Sequence, residues 1–236
     1  MSKDITILKR DGSREELDLE KMHKVVFYAC NDVTGVSASQ VELKSHLQFY
    51  NGIESANIQE TLIKAAADLI SEETPNYQWV AGRLINYHLR KIVYQSFEPP
   101  HLKDIARKNV DLGYYDKSFF SVYTTDEIDQ LNNYIKHDRD ENITYVGMEQ
   151  FRGKYLVQNR VTGEIFETPQ IAYMMIAATL FASYPKETRL KYVKEYYDAI
   201  SNFDISLPTP IMAGLRTPQR QFSSCVLIET DDSLDS

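Results

Sequence analysis

The sequence predicts a mainly α-helical protein with short β-hairpins. Apolar residues recur every three or four positions over several long segments, as on the buried face of an amphipathic helix. Two pairs of short extended segments flank turn-forming residues, as in β-hairpins. Glu98-Pro99-Pro100 interrupts the helical pattern and marks the strongest domain boundary, because proline and the residue before it disfavour helix.

The part of the chain before this boundary is predicted to be a β-hairpin followed by four helices. Residues 5–8 and 14–17 form the strands, and Asp11-Gly12 forms the turn between them. Four helices then follow from the apolar spacing, at 19–31, at 39–49, from Ser55 onward and from Pro75 onward. In the first of them Cys30 lies on the inward face, so we expect it to be a packing residue.

After the boundary the sequence predicts a second, mainly helical region. Helices are expected at 101–112, 125–137, 169–183 and 186–201. A second short hairpin is expected from residues 155–158 and 165–167, on either side of the polar turn 159–163.

Charge and composition narrow the classes of function. The 236 residues carry a formal net charge of −8, which argues against binding along a nucleic-acid backbone, since that requires a basic surface. A single nucleotide held by a few local lysines and arginines is the expected phosphate ligand. We expect no signal peptide, no membrane span and no metal site. Two cysteines are too few for a disulfide framework and favour the reducing cytoplasm.

The most informative segment is residues 206–229. Pro208 and Pro210 restrict the backbone on both sides of Thr209, and Cys225 opens an apolar run, 226–228, that is typical of a strand buried on both faces. Taken alone, a single cysteine in such a strand is usually a small buried hydrophobic residue. Taken alone, Pro-Thr-Pro is usually a turn with a capped hydroxyl.

Longer motifs favour a specific resemblance. Ser-Leu-Pro-Thr-Pro-Ile-Met-Ala-Gly at 206–214, Arg-Thr-Pro at 216–218 and Gln-Phe-Ser-Ser-Cys at 221–225 resemble the large (alpha) subunit of class I (class Ia) ribonucleoside-diphosphate reductases. The resemblance runs from about Lys9 to Ser236 and includes segments 9–12, 63–70, 154–158 and 162–164. Because the family's subunits are much longer, the chain resembles only their amino-terminal part.

The resemblance implies three domains. Residues 1–95 resemble the ATP-cone module, and residues 96–220 resemble the helical amino-terminal domain of the reductase large subunit. Residues 221–236 resemble the start of the family's ten-stranded α/β barrel, cut short here.

The resemblance also implies an activity and its site residues. The family reduces ribonucleoside diphosphates to deoxyribonucleoside diphosphates for DNA synthesis, through thiyl-radical chemistry and a redox-active cysteine pair. Cys225 matches one thiol of the pair, whose partner lies outside this chain. Thr209 and Ser224, with Cys225, match positions at the substrate. The start of the specificity effector site is matched by Asp232, Ser233 and Leu234.

An allosteric ATP site is implied in the first domain. Its matched positions are Lys9, Arg10, Glu15, Glu16, Leu17, Asp18, Leu19, Glu20, Lys21, Ser55 and Lys91. Several cations are needed there because the chain has no glycine-rich phosphate loop; on the residues alone, such scattered cations usually form a solvated face. Asp18, Ser55 and Gln59 depart from the Asn, Thr and His that are common in the family. Asp18 should weaken binding of a polyphosphate, because it adds negative charge.

Partners follow from the same resemblance. We expect a complementary carboxyl-terminal part of the large subunit, a second large subunit, and a small (beta) subunit that supplies the radical from a di-iron centre. Thioredoxin or glutaredoxin would be the reductant, with ATP and deoxynucleotides as effectors, in a bacterial or phage-infected cytoplasm. The chain is expected to be half of a naturally divided subunit or a shortened one. The alternative function is a nucleotide-sensing protein without catalysis; a stand-alone thiol oxidoreductase is disfavoured because no second cysteine lies nearby.

Overall fold

The computed structural model describes residues 5–9, 12–219 and 221–228. The chain forms two compact units, one from Met1–Pro99 with Lys136–Gly153 and the other from Pro100–Ile135 with Lys154–Ser236. A division falls at the predicted Pro99-Pro100 break, whereas the return of 136–153 to the first unit has no counterpart in the sequence analysis. The domain ranges 1–95, 96–220 and 221–236 stay predictions.

The described residues are mainly helical, as predicted. In chain order the helices are α1 (Leu19–Cys30), α2 (Ala38–His46), α3 (Ser55–Ala67), α4 (Tyr77–Tyr94), α5 (Leu102–Asp111), α6 (Phe119–Val122), α7 (Thr125–Tyr134), α8 (Tyr145–Gln150), α9 (Pro169–Leu180), α10 (Lys186–Ser201) and α11 (Thr209–Gly214). A 3-10 helix, His137–Asn142, precedes α8, and a π-helical segment, Phe151–Tyr155, follows it. Within the described ranges no helix combines the length and the apolarity needed to cross a bilayer.

The first unit contains a three-stranded sheet. The predicted hairpin is present as β1 (Thr6–Leu8) and β2 (Arg14–Glu16), which are antiparallel with Ile7 opposite Glu15. The turn places Gly12 at φ +82°, where glycine is favoured. A third strand, β3 (Ile53–Glu54), pairs with β1 in parallel. It has only two residues, too few to show an alternating pattern in the sequence.

The predicted apolar stripes of α1, α3 and α4 form the core of the first unit. Val26, Leu62 and Leu84 have no exposed surface, and α3 and α4 pack against each other. Helix α1 begins at an N-cap, Asp18, whose carboxylate accepts the backbone N–H of Lys21 at 3.0 Å. The cap fixes the direction in which α1 leaves the hairpin.

The segment 136–153 packs on α4 through a close backbone approach. An added Cβ at Gly82 would lie 2.2 Å from the carbonyl oxygen of Ile143, so only glycine allows this contact. Arg152 also bonds Glu60 of α3, at 2.8 Å. The sequence analysis missed the 3-10 helix and α8, because elements this short show less than two turns of periodicity.

The second unit is built around α9. Ile171, Met174 and Ile176 are fully buried there, and α10 and α11 pack against this helix. An apolar surface on all sides is expected of a helix at the centre of a domain. Helices α5, α7 and α10 were predicted as well; α6 was not, since it has only four residues.

The predicted second hairpin is wrong in its extent. A single antiparallel bridge, Gln158–Ile165, is present where two strands were expected. The backbone N–H of Val157 donates to the carboxylate of Glu167 at 2.6 Å, and not to a strand carbonyl. The strand pairing therefore ends after one bridge, because the backbone N–H that would make the next hydrogen bond between the strands is bonded to the Glu167 side chain.

The segment around Thr209 is a short helix and not a Pro-rich turn. Pro208 is the N-cap of α11 and Thr209 its first residue. Pro210 lies in the first turn, where its missing N–H removes no helical hydrogen bond. The two prolines thus start a helix, and they leave Thr209 exposed at its amino-terminal end.

The strand predicted at 226–228 is not formed in the described structure. These residues adopt no regular structure, and Leu227 is fully exposed. A strand buried on both faces needs neighbouring strands for its hydrogen bonds and its side chains. No described strand of the second unit supplies them.

A buried ion pair holds the end of α11 in place. Glu167 and Arg216 are 0% and 1% exposed, and Arg216 Nε donates to Glu167 Oε2 at 2.8 Å. Arg216 also donates two hydrogen bonds to backbone carbonyls. One goes to Met212, in the last turn of α11, at 2.6 Å, and the other goes to Tyr155 at 2.8 Å. Tyr115 donates its hydroxyl to the same carboxylate. Burial opposes the charge of Arg216, but Glu167 raises its pKa above the ordinary value.

We expect Gly82→Ala to destabilise the first unit by about 3 kcal/mol, because the new Cβ forces apart two backbones in a packed interior. Urea unfolding followed by circular dichroism measures the change. Gly153→Ala is the matched control, since a Cβ there meets no atom within 4 Å. Equal stability of the two variants would contradict the close approach.

We expect Glu167→Gln to cost about 3–5 kcal/mol of folding free energy, because it leaves the Arg216 charge buried without its partner. The control is Glu195→Gln, which removes an exposed pair with Lys191 (3.9 Å) and should cost about 0.5 kcal/mol or less. Urea midpoints of the two variants give the comparison. A loss in Glu167→Gln no larger than in the control would show that the pair is not needed for stability.

Candidate functional site

The first unit contains a pocket of about 430 Å³ between the hairpin and helices α1, α3 and α4. Lys9 and Glu15 come from the hairpin, Lys21 and Tyr28 from α1, and Lys91 from α4. Because β1 and β2 are antiparallel, Lys9 and Glu15 lie close enough to pair, at 2.8 Å. The pocket therefore collects polar groups from distant parts of the sequence.

Most of the residues predicted for an ATP site line this pocket. They are Lys9, Glu15, Leu17, Asp18, Lys21, Ser55 and Lys91. The structure therefore brings seven of the eleven predicted residues to one cavity.

Three of the other predicted residues do not line it. Glu16 neighbours Glu15 on a strand, so its side chain points to the opposite face. Leu19 and Glu20 line a separate groove beside His23 and Glu42. Arg10 lies outside the described residues.

The charge of the pocket favours an anionic ligand. Among its described lining residues are four lysines, Lys9, Lys21, Lys24 and Lys91, and two carboxylates, Glu15 and Asp18. Lys91 Nζ lies 4.7 Å from the centre of the Tyr87 ring, so this ammonium is held over an aromatic face at the pocket wall. Several lysines that converge on one cavity suit a polyphosphate.

Asp18 has a structural role as well as an electrostatic one. Its carboxylate caps α1, and Lys21 Nζ lies 3.5 Å from it. The hydrogen bond from the Lys21 backbone lowers the pKa of Asp18 below its ordinary value. Asp18 is therefore ionised at neutral pH, and it carries a negative charge at the edge of a pocket that otherwise favours anions.

A second cavity, of about 520 Å³, shares Lys9, Ser55, Gln59 and Lys91 with the first. Ser55 is the first residue of α3 and Gln59 follows one turn later. The side-chain oxygen of Gln59 is buried and accepts no hydrogen bond within the described structure. Gln59 therefore brings to the wall of the shared region an acceptor that has no partner among the described residues.

An aromatic wall of the pocket was missed by the sequence analysis. The rings of Tyr28 and Phe97 meet edge to face with centres 5.4 Å apart, and Tyr87 lies 5.6 Å from Phe97. All three line the pocket. The available signal was weak: Tyr28 and Phe97 lie at the margins of apolar segments, where aromatic residues are usually part of the core.

The residues predicted at a substrate lie in the second unit. Thr209 is exposed at the start of α11, and Ser224 and Cys225 are exposed in a segment without regular structure. Ser224 Oγ lies 3.9 Å from Cys225 Sγ. Cys225 is thus accessible to solvent and not enclosed. The specificity residues Asp232, Ser233 and Leu234 lie outside the described residues.

Cys30 has the environment of a packing residue. It is half-buried in α1, and burial, with a smaller contribution from Glu42, raises the pKa of its thiol to about 11. The thiol is therefore protonated at neutral pH and is a poor nucleophile.

Comparisons with known proteins agree with this arrangement. Residues 5–92 match the model of the ATP cone domain, and residues 141–220 match that of the ribonucleotide reductase all-alpha domain. The whole chain is 56% identical to ribonucleoside-diphosphate reductase 1 subunit alpha of Escherichia coli K12 and covers 31% of it. Over 98% of its length it is 45% identical to the alpha subunit of Enterobacteria phage T4, of which it covers 30%.

The similarity extends to more distant bacteria. The chain is 34% identical, over 98% of its length, to the ribonucleoside-diphosphate reductase alpha subunit of Helicobacter pylori and covers 29% of that protein. In each case the chain spans about a third of the relative's length. The chain belongs to the ribonucleoside-diphosphate reductase alpha-subunit family, and it corresponds to the amino-terminal part of that subunit, with an ATP cone followed by the all-alpha domain.

Proposed function

We propose that the pocket in the first unit is an effector site for ATP and dATP. The observation that carries this proposal is the convergence of four lysines on one cavity, within the segment that matches the ATP cone domain. Lys9, Lys21 and Lys91 would hold the triphosphate by charge. This replaces the backbone amides that a glycine-rich loop supplies in other nucleotide sites.

The remaining parts of the site suit the nucleoside. Tyr28, Tyr87 and Phe97 form an apolar aromatic wall at the same pocket. Ser55 would offer a hydroxyl to a ribose hydroxyl or an amino group. Gln59 Oε1, which is buried and has no partner in the described structure, would become a further acceptor on rotation of the side chain toward the nucleotide. Asp18 opposes the triphosphate and makes the site weaker than one with a neutral residue there.

We further propose that the chain contributes to the reduction of ribonucleoside diphosphates. Cys225 would be one thiol of a pair that gives two electrons to the 2′-carbon of the ribose and becomes a disulfide, while the 2′-hydroxyl leaves as water. Thr209 would contact the diphosphate from the amino-terminal end of α11, and Ser224 would contact the substrate beside Cys225. The exposure of Cys225 and Ser224 supports this role, because reactive thiols must be accessible.

The proposal includes partners. Reduction would require the rest of the alpha subunit, a second alpha subunit and the radical-bearing di-iron beta subunit, with thioredoxin or glutaredoxin to reduce the disulfide again in the cytoplasm. Asp232, Ser233 and Leu234 would begin the specificity effector site. The alternative, a nucleotide sensor without catalysis, is favoured by one observation: the effector pocket is lined entirely by residues of the first unit.

We expect ATP binding to respond in opposite directions to two substitutions. Lys91→Gln removes a cation from the pocket and should weaken binding roughly fivefold, whereas Asp18→Asn removes an anion and should strengthen it by a similar factor. Asparagine caps helices as well as aspartate does, so α1 should be unaffected. Calorimetric titration of the chain with MgATP measures both.

Glu16→Gln is the control for this titration, because it changes the charge of the same hairpin outside the pocket. It should alter the affinity for ATP by less than either test variant. If all three variants bind ATP as the unsubstituted chain does, the pocket is not the effector site.

We expect Cys225→Ser to abolish nucleotide reduction. The assay mixes this chain with the complementary part of the alpha subunit and the beta subunit, and it follows deoxyribonucleoside diphosphate formation. Serine cannot be oxidised to a disulfide, so loss of activity should be complete with a reductant present. Cys30→Ala should retain activity. Turnover by the Cys225→Ser mixture would exclude the role given to this thiol, and failure of the unsubstituted mixture would favour the sensor.

A further inference from the structure

Two aromatic residues of the effector pocket are linked to the 3-10 helix His137–Asn142, one through its own hydroxyl and the other through Arg90. The residues are Tyr28 and Phe97, which meet edge to face in the pocket wall. The 3-10 helix lies outside the segment that matches the ATP cone. It nevertheless packs against α4 within the same compact unit. A movement of the two aromatic rings in the pocket wall can therefore be transmitted to the 3-10 helix.

The first link is a hydrogen bond between side chains far apart in the sequence. The hydroxyl of Tyr28 donates to the carboxylate of Glu141, near the end of the 3-10 helix. Burial, and then this hydrogen bond, raise the pKa of Tyr28 to about 12, so the hydroxyl keeps its proton at neutral pH. A neutral donor on a carboxylate makes a charge-assisted bond, which is stronger than one between neutral groups.

Glu141, which accepts this bond, also lines another cavity. Glu141 lines a small polar pocket of about 290 Å³ together with Trp79 and Arg83. Its backbone carbonyl also accepts from Arg83 Nε at 3.4 Å. A rotation of the Tyr28 ring would therefore disturb Glu141, which is also hydrogen-bonded to Arg83 and is not a free surface side chain.

The second link runs through Arg90. Its guanidinium carbon lies 5.0 Å from the centre of the Phe97 ring. Its Nη2 donates to the carbonyl of His137 at 2.8 Å and lies 3.9 Å from the carboxylate of Asp140. Arg90 and Asp140 are 5% and 0% exposed. Solvent screens charges weakly at such buried positions, so a movement of the Arg90 guanidinium changes its electrostatic interaction with the 3-10 helix.

The two links reach opposite ends of one short helix. Glu141 lies near its carboxyl-terminal end and His137 at its start. A nucleotide that enters the pocket contacts the rings from which both links begin. An element with two separate attachments to one wall moves with that wall, provided that the nucleotide favours one arrangement of the rings over another.

We propose that the 3-10 helix His137–Asn142 is the output element of the effector pocket, coupled to bound adenine nucleotide through the Tyr28–Glu141 hydrogen bond and through Arg90. The proposal rests on the proposed effector function, because it requires that the pocket binds ATP. The coupling is reciprocal: a change in the helix alters the affinity of the pocket by the same factor by which the nucleotide alters the helix.

Tyr28→Phe isolates the first link. It removes the donor and keeps the ring, so the edge-to-face contact with Phe97 is retained. Glu141→Ala removes the acceptor from the other side. Asp138→Ala is the matched control, since it removes an exposed carboxylate from the same 3-10 helix and leaves the Tyr28–Glu141 bond in place.

Hydrogen exchange of the full chain, with and without saturating MgATP, provides the test. In the unsubstituted chain we expect exchange at 137–143 to change about fivefold or more on ATP binding, the lower range of allosteric couplings. In Tyr28→Phe and in Glu141→Ala only the link through Arg90 remains, so the change should fall to about half of that in the unsubstituted chain or less, and in Asp138→Ala it should remain. Calorimetry on each variant confirms that ATP is bound in the exchange experiment.

A second measurement uses the affinity for ATP. If the two side chains act only through their mutual bond, the double variant Tyr28→Phe/Glu141→Ala should bind ATP within about twofold of Tyr28→Phe alone. Independent, additive effects would overturn the proposed link.

The outcomes separate this inference from the function on which it rests. If ATP binds but exchange at 137–143 does not change, or if Tyr28→Phe and Glu141→Ala keep the full change seen in the unsubstituted chain, the proposed coupling is disproved and the effector site stands. If the unsubstituted chain does not bind ATP at all, the effector site fails and the inference fails with it.

Discussion

Helix α4 touches the backbone of Ile143 at a distance that only glycine permits, and the described part of the first unit depends on this contact. A Cβ at Gly82 would lie 2.2 Å from the Ile143 oxygen. The contact keeps 136–153 against α4, so it also places Glu141 beside Tyr28 and His137 beside Arg90. The Gly82–Ile143 contact therefore holds in place both the aromatic wall of the pocket and the polar contacts that join it to the 3-10 helix.

The electrostatics of the pocket differ from those of the chain. The whole sequence carries a net charge of −8, which argues against a nucleic-acid backbone as ligand, yet the described pocket lining has twice as many lysines as carboxylates. Local clusters of cations bind one polyphosphate because Coulomb interactions over a few ångströms outweigh screened charges farther away. Glu15 and Asp18 pair with Lys9 and Lys21, which offsets the repulsion between the lysines when no anion is bound.

The two units differ in how completely they build their proposed sites. The first unit by itself supplies every described residue that lines its pocket. In the second unit, Arg216 and Glu167 fix the end of α11 and thereby Thr209. Cys225, in contrast, precedes an apolar run that needs neighbouring strands to become a sheet. Family membership and exposure of the thiol both agree with a reductase role, which remains a proposal.

The sequence by itself determined the helical class, the first hairpin and the long helices, because their periodicity and caps are encoded locally. It also named most of the residues that line the pocket proposed as the effector site, through motifs that resemble a known family. Tertiary structure decided the aromatic wall, the Gly82 contact and the Arg216–Glu167 pair, and it turned the Thr209 segment into a helix. It also left 226–228 without a sheet. These features depend on residues that are distant in the sequence or on neighbouring strands, and local patterns contain no information about either.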